Sequence, residues 1–139
     1  MTRAHYQAIT DRLATLTASG KPVPATLGDP PGNSTLPYSF VTPRPATPRS
    51  VTAAGCDREL SEVFNVTLVH SSASNVLAMC EGATDLLHGW TPIIPGWRTF
   101  PLEVVDTQPV QTSTVVMDGP SNTYPRWAVI QCRLQATKE

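Results

Sequence analysis

Three histidines, three cysteines and eleven acidic residues are the side chains in this 139-residue sequence that could do chemistry. Cys56, Asp57 and His70 could be drawn as a thiol hydrolase, in which a general base takes the proton of a sulfur nucleophile. Such a site needs its groups within hydrogen-bond reach, and nothing in their spacing brings them there. Cys56, Cys80 and Cys132 form an odd, widely separated set that fits neither a disulfide framework nor a zinc site. Cys80 and Cys132 fall on inward-facing positions of their segments and read as small core residues. His5, His70 and His88 each stand alone. His88 falls in the last turn of an expected helix, where a protonated imidazole would meet the negative end of the helix dipole. There is no phosphate-binding glycine loop, nucleophile elbow or His/Cys metal spacing, and the carboxylates pair at no informative interval. The expectation is a protein that is not an enzyme, with no catalytic, metal-binding or cofactor-binding residues and no cofactor.

One charge pattern stands out. Between Glu59 and Trp97 there are four acids, Glu59, Glu62, Glu81 and Asp85, and no lysine or arginine. The preceding stretch, Pro43 to Arg58, carries Arg44, Arg49 and Arg58 against one acid, Asp57. A chain with a basic loop and an acidic helix can associate head to tail, and such heterologous contacts close into rings when the rotation permits. The plain alternative is a set of ordinary solvated charges. Arg44, Arg49, Arg58, Glu59, Glu62, Glu81 and Asp85 are accordingly the candidate subunit-interface residues.

Composition narrows the class. Charged residues make up 15% of the chain, below the ~25% of an average globular protein, which fits a surface partly covered by other protein. The net charge of -1, without a lysine or arginine cluster, argues against binding nucleic acid through phosphate contacts. No apolar run approaches the ~18 residues that span a bilayer, so no membrane partner is expected. Met1 to Leu16 lacks the apolar core of a signal peptide, which gives the expectation of no export and a reducing cytosolic origin. The two glycosylation-like triplets, at Asn33 and Asn65, are then chance matches.

The elements follow from periodicity and punctuation. Residues 2–18 read as an amphipathic helix with Tyr6, Ile9, Leu13, Leu16 and Thr17 on one arc, stopped by Ser19-Gly20. Val23–Leu27 reads as an edge strand broken by Pro24, and Leu36–Thr42 as a second strand with Leu36, Tyr38 and Phe40 facing one way. Val63–His70 reads as a strand covered on both faces. A serine among Ser71, Ser72 and Ser74 caps the following helix, which Gly89 closes. On that helix Val76, Cys80, Ala83 and Leu87 form the central apolar stripe, with Leu77, Met79 and Leu86 on its shoulders. Ala78 and Gly82 make a small-residue stripe that admits either close approach of another backbone or simple tolerance. Trp90–Trp97 reads as a rigid connector folded over one end of the core. Phe100–Gln111 reads as a strand that Pro109 breaks at an edge or a bulge. Tyr124–Ala136 is the last strand, with Ala128, Ile130, Cys132 and Leu134 on one face. The 14 prolines punctuate these segments rather than form one tract. The expected fold is α+β: one domain over residues 1–139, with an antiparallel or mixed sheet of about four to five strands and two helices packed on it. The stretches 43–58 and 111–123 are expected to project as loops.

Taken in order, the segments resemble the tail terminator (tail completion) proteins of long-tailed phages, particularly the small versions of actinobacterial phages. The resemblance lies in the N-terminal helix, Leu36-Pro37-Tyr38 opening a strand, and the Pro/Arg-rich stretch ending Gly55-Cys56-Asp57-Arg58. It continues through Val66-Thr67-Leu68-Val69, the helix with Ala78 and Leu86-Leu87, Pro95-Gly96-Trp97, and Arg126-Trp127-Ala128-Val129 to Arg133-Leu134. It covers most of the chain from Leu36 onward and brings no catalytic residue with it. The resemblance implies a structural virion protein that caps the head-proximal end of the tail tube as a hexameric ring and stops its polymerisation. Its implied partners are further copies of itself, the tail tube protein and a head-closure or connector protein. DNA would pass through the central channel without specific binding. The implied location is the neck of the virion, with the host cytoplasm during assembly.

Three other readings remain open. A head-closure or connector protein of the neck has similar size and composition. A small cytosolic enzyme would require the Cys56 chemistry. A monomeric ligand-binding domain would use Trp90–Trp97 to line an apolar pocket.

Overall fold

The computed structural model describes residues 3–30, 35–44, 59–113 and 124–139. Its spine is a pair of long antiparallel strands, β5 (Glu59–His70) and β9 (Arg126–Lys138), which stay in register from Glu59↔Thr137 to His70↔Arg126. Alternation explains the pairing: Phe64, Val66 and Leu68 of β5 lie across from Cys132, Ile130 and Ala128, and all six are buried. On the outer side of β5, β4 (Tyr38–Thr42) pairs antiparallel, and the short edge strand β3 (Ala25–Leu27) pairs parallel to β4. The expected α+β fold with a mixed sheet is what forms. On β4 Tyr38 and Phe40 share one face, with their rings stacked 6.4 Å apart. Ser39 and Val41 are the buried residues, and Tyr38 and Phe40 stand half-buried on the opposite side.

The free side of β9 is shared by three short strands, β6 (Trp97–Thr99), β7 (Glu103–Thr107) and β8 (Gln111–Thr112). The single strand expected over Phe100–Gln111 is therefore divided. The β7–β9 ladder shifts register between Val104 and Asp106; the Gln108 N–H still donates to the Val129 carbonyl at 2.9 Å, and strand pairing breaks at Pro109-Val110, since proline has no N–H to donate. Gln111 and Thr112 belong to β8 rather than to a loop. Residues 45–58 and 114–123, the other expected loop positions, lie outside the described residues.

The N-terminal helix α1 (Arg3–Leu13) is shorter than its apolar pattern. Its last turn tightens, with Thr15 N–H to Arg12 O and Leu16 N–H to Leu13 O. The chain then forms a small hairpin, β1 (Thr17–Ala18) and β2 (Lys21–Pro22). Ser19 and Gly20, read from sequence as a helix stop, are instead its two-residue turn, both at positive φ (52° and 78°).

Helix α2 (Ala73–Leu87) starts at Ser72, whose hydroxyl accepts the Asn75 N–H at 3.2 Å. It ends with His88 as C-cap and Gly89 at φ 81°. Val76, Met79, Ala83 and Leu87 are its buried residues. Met79 thus takes the central place expected for Cys80, and Leu77 turns out to solvent at 56% exposure. Both helices lie on one face of the sheet, α1 over β3 and β4, α2 over β5 and β9. The connector after α2 does close one end of the core. Pro92 and Ile94 are buried in it, and Trp97 meets the buried His5 ring edge-on at 4.9 Å. No helix among the described residues is long and apolar enough to cross a membrane.

Candidate assembly interface

The candidate interface residues separate into distinct neighbourhoods. Arg44 is exposed just past the end of β4, and its backbone is pinned to α1. Its N–H donates to the Tyr6 hydroxyl oxygen at 2.8 Å, and that hydroxyl donates to the Arg44 carbonyl at 3.2 Å. Glu59 opens β5 opposite Thr137. Glu62 is half-buried opposite Leu134, close enough to α1 that its charge acts on His5 and Tyr6. It therefore does not belong with the acids of α2. Arg49, Arg58 and the Glu59 side chain lie outside the described residues.

Glu81 and Asp85 are brought together. They lie one turn apart on α2, both exposed, and line a groove of about 590 Å³. One wall is the outer side of α2, with Leu77, Cys80 and Thr84 below the two carboxylates. The other wall is Thr107 to Val110, the end of β7 and the turn through Pro109 that leads to β8, with Ala128 of β9 also in the lining. Among the described residues no lysine or arginine lines it. The floor is apolar and the rim acidic. Covering the 56% of Leu77 that is exposed would contribute about 1–1.5 kcal/mol of apolar burial. The groove is not legible in the sequence, because the apolar pattern predicts Leu77 on the buried shoulder of the helix, whereas it is 56% exposed. The break at Pro109 is the sequence signal that marks its other wall.

A second, smaller depression of about 330 Å³ lies on the sheet face opposite the helices, between Tyr38, Phe40, Val69, Pro125 and Trp127. Burial raises the Tyr38 hydroxyl above its ordinary pKa.

The described histidines and cysteines have the following surroundings. His70 uses Nδ1 to accept the Ser71 N–H at 2.7 Å, and burial lowers its pKa. His88 Nδ1 accepts the Val104 N–H at 3.1 Å, which ties the C-cap of α2 to β7. Burial pushes the Cys132 thiol up to about 12, which holds it as a protonated core residue. Cys80 is only partly covered, at the groove, and burial raises its thiol as well. Cys56 and Asp57 lie outside the described residues. Among the described residues no group of three His, Cys, Asp or Glu side chains could hold a metal ion.

No protein-family profile matches the chain, and no curated protein sequence matches it. Its fold is similar to that of a chain in the virion of a native gene transfer agent particle. That alignment has a TM-score of 0.59 and 15% identity over 96% of this chain and 92% of the other. A second solved chain aligns over 98% of this one at 18% identity with a TM-score of 0.46. At these identities the first likeness establishes a shared fold from end to end.

Proposed function

We propose that this chain is a structural virion protein of a tailed phage or phage-like particle, and specifically the tail terminator. In that role it caps the head-proximal end of the tail tube as a ring and ends tube polymerisation. It also offers the docking surface for the head-side connector. The observation that carries the reading is the fold shared over nearly the full length of a chain from a gene transfer agent virion. The order of segments from Leu36 to Leu134, similar to tail terminators, narrows it. The low proportion of charged residues fits a surface mostly covered by neighbours. The net charge of -1 suits a channel that DNA must not adhere to. The hexameric ring, the tail tube and connector as partners, and the absence of enzymatic activity all belong to this proposal.

The test is deletion of the reading frame from the genome that carries it, followed by electron microscopy of the lysate. Tails of uncontrolled length, unattached to filled heads, are the expected result. Uniform tails beside detached heads would move the protein to the connector side of the neck. Complete, infectious particles would overturn the virion reading.

A further inference from the structure

The groove and Arg44 lie toward opposite edges of the molecule. The strand order β3-β4-β5-β9, with β7 and β8 beyond β9, sets this geometry. Arg44 leaves the end of β4 beside α1, while the groove opens between α2 and the stretch joining β7 to β8. Around α2 the same separation recurs. Gly82 and Leu86 face α1, where Leu16 and Arg12 meet them, and Leu77, Thr84 and Glu81 face the groove.

We infer that the groove between α2 and Thr107–Val110 receives the proline- and arginine-rich segment 43–58 of a second copy of this chain, joining the copies head to tail. The inference rests on the assembly reading above and names the two surfaces that meet. Charge complementarity selects the occupant. The groove presents Glu81 and Asp85 with no lysine or arginine among the described lining residues, and the segment carries Arg44, Arg49 and Arg58 against Asp57. Long arginine side chains also lay an apolar stem over a floor such as Leu77 while their guanidinium groups reach the rim. Pro43, Pro45 and Pro48 reduce the conformational freedom that such a segment loses on docking. Because the groove and Arg44, where the segment begins, lie toward opposite edges, the contact is heterologous rather than self-complementary. That arrangement builds a ring when the rotation closes.

The test uses full-length chains in a Cys56→Ser, Cys80→Ser background. A copy carrying Leu77→Cys and a differently tagged copy carrying Arg49→Cys are mixed, treated with a short bis-maleimide, and mapped by mass spectrometry. A cross-link between the two tagged species is expected. A cross-link confined to one copy, or assemblies that form without it, would overturn the inference. In parallel, Glu81→Arg with Asp85→Arg is expected to weaken self-association about tenfold, and adding Arg44→Glu, Arg49→Glu and Arg58→Glu to the same chain restores it. Unchanged thermal melts separate this from misfolding. Self-association indifferent to both sets, or absent at every concentration, would also overturn the pairing. The tail-length phenotype of the deletion decides the terminator reading independently.

Discussion

Leu16 Cδ1 fills the space beside Gly82 where any other residue would carry its Cβ; the separation would be 2.7 Å. The small residue in mid-helix is therefore answered by a side chain from the turn after α1, and not by the backbone of another helix. Leu16 is buried at 4% exposure, so its methyl group has little room to yield.

Gly82→Ala tests this contact. Alanine alone gains about 1 kcal/mol of helix propensity, while overpacking a buried methyl costs about 1–3 kcal/mol. The expected result is a net loss of about 1 kcal/mol in chemical denaturation, with Gly82→Val losing more. Combining Gly82→Ala with Leu16→Ala should cost less than the sum of the two single changes. Strict additivity in that cycle would mean that the two residues do not compete for space.

Tyr6 holds the chain that leaves β4, because its hydroxyl bonds both backbone groups of Arg44. Tyr6→Phe keeps the ring, including its edge contact with Phe64 at 6.2 Å, and removes only those bonds. The expected loss is about 1–2 kcal/mol of stability, read from the denaturation midpoint at constant slope. If Arg44 is delivered to a neighbouring copy, self-association also weakens.

Stability should fall with acid through His5. The ring is buried and its pKa is lowered, chiefly by desolvation, with the N-terminal charge acting in the same direction and Glu62 in the other. The unfolded chain therefore binds the proton first, at a pKa of about 6.5. Stability is flat above that value and declines as pH drops below it, until the folded-state pKa is passed. His70, also lowered by burial, adds in the same direction. Melting temperatures from pH 7.5 to 5 should show a downward slope that His5→Phe makes shallower. A profile unaltered by that change would remove His5 as the cause.

The two described thiols should differ in reactivity. In a Cys56→Ser chain, native labelling with a maleimide at pH 7.5 should proceed slowly at Cys80 and fail at Cys132, whose thiol stays protonated near pKa 12. Both should react in urea. Cys80→Ser should abolish native labelling, and assembly that covers the groove should protect Cys80. Fast labelling of Cys132 in the native state would contradict the packing at β9.

Much of this molecule is written locally. Alternation placed Ala128, Ile130, Cys132 and Leu134 on the buried face, as found, because a strand's two faces follow from parity alone. Ser72 and Gly89 bound α2 as the sequence predicts: the Ser72 hydroxyl accepts an orphan N–H of its own helix, and Gly89 takes the positive φ that ends it.

Tertiary structure decided what depends on a distant partner. The rotation that buries Met79 and turns Leu77 outward is set by the sheet and Leu16 together, and an apolar stripe alone leaves tens of degrees of freedom. The short α1 and its hairpin reflect where β3 and α2 receive the chain. Glu62 and Glu81 looked equivalent in the sequence as members of one acidic stretch. A strand directed Glu62 toward α1, and a helix directed Glu81 toward the groove it shares with Thr107–Val110. Charge is a property of the residue, but the surface it joins is fixed only when long-range packing brings that surface's other residues to it.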